Sequence, residues 1–265
     1  MWARASDVPA DIQVALASAA HRLGPFGAHL FYYPTVSSTN DVAARLAMAG
    51  ADEGTTVMAE TQEAGRGRRG RTWHSPPGAG LYVSIVLRPR RFAPQVTLMA
   101  GVALAEGLAY ATGLLPQIKW PNDLVVQRRK LGGILAEAQG PAGRPRLPGT
   151  PEGLDTVVLG YGINLKSALY PEDLAERVTS IEAELGRPVE RGTVAAWTLA
   201  FLATRYGELQ KGQWPAILER WRDLAPASRG SVVEWSDAGA FHRGTTEERC
   251  HLGRRCIPPG CVARR

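Results

Sequence analysis

The sequence predicts an α+β protein, with helices and strands interspersed along 265 residues. Three stretches carry that prediction. GLYVSIVLRP, from Gly80, alternates as a strand does, with Leu81, Val83, Ile85 and Leu87 on one face and Tyr82, Ser84 and Val86 on the other. Thr97 to Thr112 is small and apolar throughout and stops at Gly113, which reads as a buried helix. LVVQRRKLGGILAEAQG reads as strand, basic turn (Arg128, Arg129, Lys130) and strand, with Gly132 and Gly133 where a close backbone approach would be needed.

The other elements follow in order. Residues 8 to 22 read as an amphipathic helix ending before Gly24-Pro25, and LFYYPTV as a short strand closing at Pro34. Ser37 to Asn40, SSTN, leads into the helix DVAARLAMAG. Thr39 and Asn40 are good N-caps, Asp41 suits the first turn and Gly50 the end. The same row of hydroxyls and amide could instead hydrogen-bond an uncharged polar ligand. TTVMAE, 55 to 60, alternates as a strand. In QIKWPND a strand would point Ile118 and Trp120 one way and Lys119 the other, until Pro121 stops the ladder. Pro141 to Gly153 reads as an exposed loop. TVVLGYGINL, 156 to 165, is a strand whose alternate glycines, Gly160 and Gly162, imply that something packs against that face. Helices over 193–210 and 214–224 follow, and Ser231 to Trp235 reads as one more strand. Two domains are expected, 1–227 and 228–265.

Composition narrows the class. The chain is 45% hydrophobic and 21% charged, ordinary for a soluble globular protein. Of its net charge of +6, +4 comes from six arginines against Glu247 and Glu248 between Arg243 and Arg265. The body is therefore nearly balanced, and no face for duplex DNA is required. The three cysteines, Cys250, Cys256 and Cys261, all lie in that tail without a CxxC pair, so neither zinc nor an oxidising compartment is indicated. No run is long enough to span a membrane, and cytoplasm is the expected location.

TQEAGRGRRGRTW, Thr61 to Trp73, stands apart from the rest. Between Gly65 and Arg71 lie four arginines and three glycines and no apolar residue. Glycine N–H groups approach a ligand closely. Arginine keeps its charge and offers a planar fork to carboxylate or phosphate. A loop of this kind is suited to closing over an anion. Alone, it reads first as a solvated basic loop, because short Arg/Gly runs are common; an RG segment that binds RNA is a further reading.

Taken in order, SSTN, GRGRRGRTW, KWPND, KLGGIL and GYGIN resemble the motifs of the biotin–protein ligases, from about Ser37 to Leu165. The resemblance implies a mixed, largely antiparallel sheet with helices packed on one side, shared with lipoate ligases and class II aminoacyl-tRNA synthetases, and a short C-terminal SH3-like β segment. It implies ATP and biotin as substrates with Mg²⁺, formation of biotinyl-5′-AMP, and transfer to a lysine of a biotin carboxyl carrier protein. It also implies roles. Lys119, Arg66 and Arg68 match the catalytic cations. Ser38, Thr39, Asn40, Gln62 and Gly67, with those three, match biotin contacts. Gly65, Arg71, Trp73, Asn122, Lys130 and Asn164 are assigned to ATP and adenylate, and Trp120 to the wall of the biotin site. No metal ligand is assigned. The glycine–arginine loop is expected to be flexible when empty and ordered with ligand. Only 36 residues precede Ser37, so the DNA-reading domain many members carry is not expected, while a homodimer is allowed. The tail ERCHLGRRCIPPGCVARR departs from the family's small C-terminal barrel, which looks incomplete or replaced. Three rivals remain: a lipoate or octanoyl ligase on the same fold, a non-catalytic RNA-binding protein, and an adenylate-holding regulator with no transfer activity.

Overall fold

Helix α1 (Ala10–Leu23) buries Ile12, Ala19 and Leu23, and a short 3-10 turn, Gly24–Gly27, buries Phe26 behind it. Residues 7–89, 93–139, 156–167, 172–228, 230, 232–237 and 240–245 are described by the computed structural model. The chain divides into two compact units, Met1–Leu224 and Ala225–Arg265.

The first unit is built on a seven-stranded sheet. In chain order its strands are β1 (Leu30–Val36), β2 (Thr56–Gln62), β3 (Gly80–Leu87), β4 (Gln117–Lys119), β5 (Asp123–Val126), β6 (Arg129–Gln139) and β7 (Thr156–Asn164). In space they run β1-β2-β3-β7-β6-β5-β4. Only β1 and β2 pair in parallel, Leu30 opposite Thr56; the other neighbours are antiparallel. The sheet is therefore mixed and largely antiparallel, as the family resemblance implied. Every residue of β3 is buried, because this central strand is covered on both faces.

The helix α2 (Thr39–Met48) crosses one face of the sheet. Its Val42 and Ala43 join Val36, Val57, Ala59, Val86 and Val158 in an apolar cluster. The longer helices α3 (Ala93–Thr112) and α6 (Arg191–Gln210) serve the opposite face, where Tyr161 of β7 lies 3.2 Å from Thr198 of α6. Gly107 lets these two helices meet closely, since a Cβ there would lie 2.9 Å from the Trp197 carbonyl oxygen. α1 packs on α6. Helix α7 (Trp214–Leu224) is fastened to both by Glu106, which accepts from Arg205 and Arg220 at 2.8–2.9 Å.

Several local expectations shift. α3 begins at Ala93, ahead of the expected Thr97. β4 ends at Lys119, so Trp120 does not share the buried face of Ile118 and is 44% exposed. Pro121 has no N–H with which to extend the ladder. The turn between β5 and β6 is made by Gln127 and Arg128, both at positive φ (46° and 71°), as a two-residue hairpin turn requires. Lys130, expected in that turn, is instead inside β6. Two short helices, α4 (Glu172–Ala175) and α5 (Ile181–Leu185), had no legible periodicity.

In the second unit β8 (Val232–Asp237) falls on the expected strand and pairs with an unforeseen β9 (Ala240–Thr245), Val232 opposite Thr245. The loop 141–153, the three cysteines and the tail sequence lie outside the described residues. Among the described residues no helix is long and apolar enough to cross a membrane.

Candidate active site

The N-terminus of α2 supplies a row of neutral polar groups. Ser38 is the N-cap residue and makes no side-chain cap bond. Thr39 and Asn40, expected to cap, do other work. Gln62 Oε1 accepts from Thr39 N at 2.9 Å and from Thr39 Oγ1 at 3.1 Å, so a side chain from β2 serves as the cap. Gln62 Nε2 donates to Ser75 Oγ at 2.9 Å. Ser84 Oγ lies 2.8 Å from Thr39 Oγ1 and 2.6 Å from Asn40 Oδ1. Ser38, Thr39, Asn40 and Ser84 are all buried. Burial of Thr39, Asn40 and Ser84 is tolerated because each finds a partner, and that fixes their donors and acceptors in one geometry.

The glycines of β6 and β7 explain themselves at this point. A Cβ on Gly160 would lie 2.0 Å from Asn40 Oδ1. A Cβ on Gly162 would lie 2.6 Å from the Trp73 ring, and one on Gly133 at 3.0 Å. Gly133 and Gly162 are opposite each other in the ladder, so together they make a flat patch on which the indole lies. What packs against the glycine face is thus the chain itself. Lys130 Nζ sits 5.1 Å from the centroid of the Trp73 ring and 2.8 Å from Asp123 Oδ1. This placement combines a cation–π contact with an ion pair. Trp73 Nε1 is buried with no hydrogen-bond partner among the described residues.

The glycine–arginine loop forms a small hairpin. Trp73 N donates to Gly65 O at 2.8 Å, Gly67 N donates to Arg71 O at 2.7 Å, and Arg66 bridges Thr72. Arg69 and Gly70 turn its tip at φ 59° and 72°. A Cβ on Gly65 would be 2.4 Å from the Trp73 carbonyl oxygen, so this glycine is needed for closure of the hairpin. Arg66 reaches Asp41 at 2.9 Å and Glu137 at 2.8 Å. Arg68 reaches Asn122 Oδ1 only at 3.5 Å. Burial lowers its pKa first and the charge of Arg69 second, with Asp123 opposing. A guanidinium destabilised by burial and a like charge favours an arriving anion. Beneath the loop is a cleft of about 510 Å³, closed on the sheet side by Leu135 and Glu137.

The fold brings together most of the residues singled out from sequence. Thr39, Asn40 and Gln62 share one hydrogen-bond network, and Ser38 lies beside it, buried at the N-cap of α2. Arg66 is joined to it through Glu137, which also accepts from Asn40 Nδ2 at 2.7 Å. Gly65, Gly67, Arg68 and Arg71 line the cleft, and Trp73 floors the glycine patch. Asn122 fixes the β4–β5 turn by donating to Ile134 O at 2.8 Å while facing Arg68. Lys119 is exposed at the end of the edge strand β4, and the register places it with the site. Lys119 is opposite Asp123, Asp123 opposite Gly133 and Gly133 opposite Gly162, so it stands on the face of the glycine patch, beside the Asp123–Lys130 pair. Asn164 is buried with its amide engaged by Thr179 O at 2.9 Å and Lys130 O at 3.4 Å, which braces the strand carrying Lys130. Sequence reasoning missed Glu137 and Ser84. Ser84 was visible as the one hydroxyl inside a wholly apolar strand, and Glu137 as a charge on the same alternating face as Gly133 and Leu135.

A mixed sheet with a glycine-flattened face, a polar helix N-terminus and a clasp of cations mark this face as the candidate site. Comparison with known proteins gives the family. The family model described as biotin/lipoate A/B protein ligase matches residues 32–144. A biotin–[acetyl-CoA-carboxylase] ligase of Mycobacterium tuberculosis is 33% identical over 235 residues, 85% of this chain and 81% of that protein. The bifunctional ligase/repressor BirA of Bacillus spizizenii is 37% identical over 204 residues, 75% of this chain but 60% of its own length. Among solved structures, the biotin protein ligase of Aquifex aeolicus in complex with biotin and ATP superposes with a TM-score of 0.68 at 26% identity, covering 83% of this chain and 86% of that one. The chain belongs to the biotin/lipoate A/B protein ligase family.

Proposed function

We propose that the protein activates biotin with ATP, releasing pyrophosphate and forming biotinyl-5′-AMP, and then passes the biotinyl group to a lysine of a biotin carboxyl carrier protein. The observation that carries this reading is the meeting of a fixed, uncharged hydrogen-bonding row with four cations, Arg66, Arg68, Lys119 and Lys130, around the cleft and the flat Gly133–Gly162 patch. The resemblance to named biotin ligases supports the choice of substrate.

The chemistry asks for this arrangement. A carboxylate must attack the α-phosphorus of a polyanion, and two unit charges at 4 Å repel by about 4 kcal/mol at an effective dielectric of 20. Preorganised cations offset that repulsion and stabilise the charge that builds on the phosphoryl oxygens. Arg66 and Arg68 offer planar forks; Lys130 offers a compact ammonium whose position is set by Asp123 and Trp73. Ser38, Thr39 and Gln62 hold the neutral ureido ring, whose donors and acceptors match theirs. The loop over the cleft keeps water from the mixed anhydride. Among the described residues no group of three or more His, Cys, Asp or Glu is placed to hold a metal, and Asp123 and Glu137 are already paired to cations. Mg²⁺ would arrive with the nucleotide and would supply further neutralisation of its phosphate charge. In the transfer step the acceptor lysine, with a free pKa of about 10.4, must arrive deprotonated. Such a substrate set fits a cytoplasmic location.

ATP–pyrophosphate exchange tests the proposal. Exchange is expected with biotin and not with lipoate or octanoate, because those acids lack the ureido ring. Exchange supported by lipoate would move the chain to the lipoate branch of the family. Salt-sensitive RNA binding without any exchange would overturn the ligase reading altogether.

A further inference from the structure

Glu137 is not among the residues that the ligase reading needs, yet it is central to the polar network of the site. Its Oε2 accepts from Arg66 at 2.8 Å and from Asn40 Nδ2 at 2.7 Å. Asp41 takes the same Arg66 nitrogen at 2.9 Å. One guanidinium at the base of the loop thus carries two carboxylates, one from α2 and one from β6. Neither is buried: the side chains of Arg66, Asp41 and Glu137 are 41%, 37% and 30% exposed. Arg68, two residues on, has no carboxylate within ion-pair distance among the described residues. Arg66 and Arg68 are therefore in opposite electrostatic states, the first neutralised and the second waiting.

We infer that Glu137, with Asp41, is a positioning residue that stands in for the substrate anion at Arg66. In the empty protein the pair of carboxylates holds the base of the loop hairpin against α2 and β6. When an anionic ligand arrives, Arg66 exchanges its internal carboxylates for those of the ligand, and the loop stays closed by a different bond. Such an exchange keeps the guanidinium satisfied in both states. Glu137 is suited to the task because Asn40, itself fixed by Ser84 and walled by Gly160, fixes its position. The inference rests on the ligase reading for the identity of the displacing anion, but its empty-state half does not.

The test is limited trypsin cleavage within the arginine loop, on the whole chain, for wild type, E137Q and D41N, each alone and with biotin plus ATP and Mg²⁺. Glutamine at 137 keeps the shape and an acceptor for Asn40 while removing the charge toward Arg66. Without ligand, E137Q is expected to be cut about threefold faster than wild type, the scale of one half-exposed ion pair, and D41N/E137Q faster still. With ligand, variant and wild type are expected to be cut at the same rate, because Arg66 is then held by the ligand. Equal cleavage in the empty state would overturn the inference. So would faster cleavage of E137Q in both states, which would make Glu137 a permanent strut and not a stand-in. Failure of ligand to protect even the wild type would count against the proposed function and against the exchange, while the empty-state comparison would still report on the latch alone. Unchanged near-ultraviolet circular dichroism of E137Q separates loop release from general loosening.

Discussion

Lys119→Ala is expected to lower biotin adenylation by roughly a hundred- to a thousandfold, whereas Lys130→Ala lowers it by roughly tenfold. Both lysines stand on the face of the glycine patch, and they differ in what already holds them. Lys119, at the end of β4, is exposed with its backbone opposite Asp123, so its ammonium is open to an arriving carboxylate and phosphate. Lys130 Nζ is held 2.8 Å from the Asp123 carboxylate and over the indole of Trp73, so much of its charge is answered within the protein before a ligand arrives. The measurement is the rate of biotin-dependent pyrophosphate exchange at saturating ATP, with Kd for biotin measured separately. A large loss in exchange with a small change in biotin Kd is expected of Lys119→Ala, since its charge acts on the phosphoryl group. The reverse pattern, Lys130→Ala severe and Lys119→Ala mild, would move the reacting centre to β6.

Gly160→Ala is expected to destabilise the protein by roughly 2–3 kcal/mol and to weaken biotin binding at least about tenfold. The new methyl would lie 2.0 Å from Asn40 Oδ1, well inside any contact. Asn40 cannot rotate aside without releasing Ser84 at 2.6 Å and Glu137 at 2.7 Å, and Ser84, wholly buried, would be left without that partner. Two effects therefore coincide: steric overpacking between β7 and α2, and loss of the fixed polar row. Urea unfolding and calorimetric biotin binding measure them apart. Gly207→Ala is the contrasting case. A Cβ there meets nothing within 4 Å in the middle of α6, so the substitution is expected to stabilise by roughly 0.4–1 kcal/mol and leave binding alone. Equal effects from the two would mean that the contact with Asn40 has no energetic weight.

These cases show where the sequence was legible. Strand and helix order could be read because apolar periodicity is local, and β3 declared both of its faces in ten residues. The alternate glycines of β7 correctly announced a close partner, but not that the partners would be Asn40 and Trp73, more than 80 residues earlier in the chain. Contacts of that span are set by strand order, which no local pattern reveals. Both lysines were named from sequence, Lys119 for the reacting centre and Lys130 for the adenylate, but the difference between them was hidden for a related reason. It depends on where β4 ends and where the β5–β6 turn falls, which set Lys119 opposite Asp123 and leave Lys130 inside β6, paired to that same Asp123. The roles of Glu137 and Asp41 were invisible because both look like ordinary solvated charges until the fold closes them on Arg66.

The most direct test of the account is a crystal structure of the protein with a non-hydrolysable analogue of biotinyl-5′-AMP. It is expected to place the bridging phosphoryl group within hydrogen-bonding distance of Lys119 and of Arg66 or Arg68, with the ureido ring against Ser38, Thr39 and Gln62 and with Glu137 released from Arg66. An analogue seated away from Lys119, with the arginine loop turned to solvent and Glu137 still bound to Arg66, would contradict it.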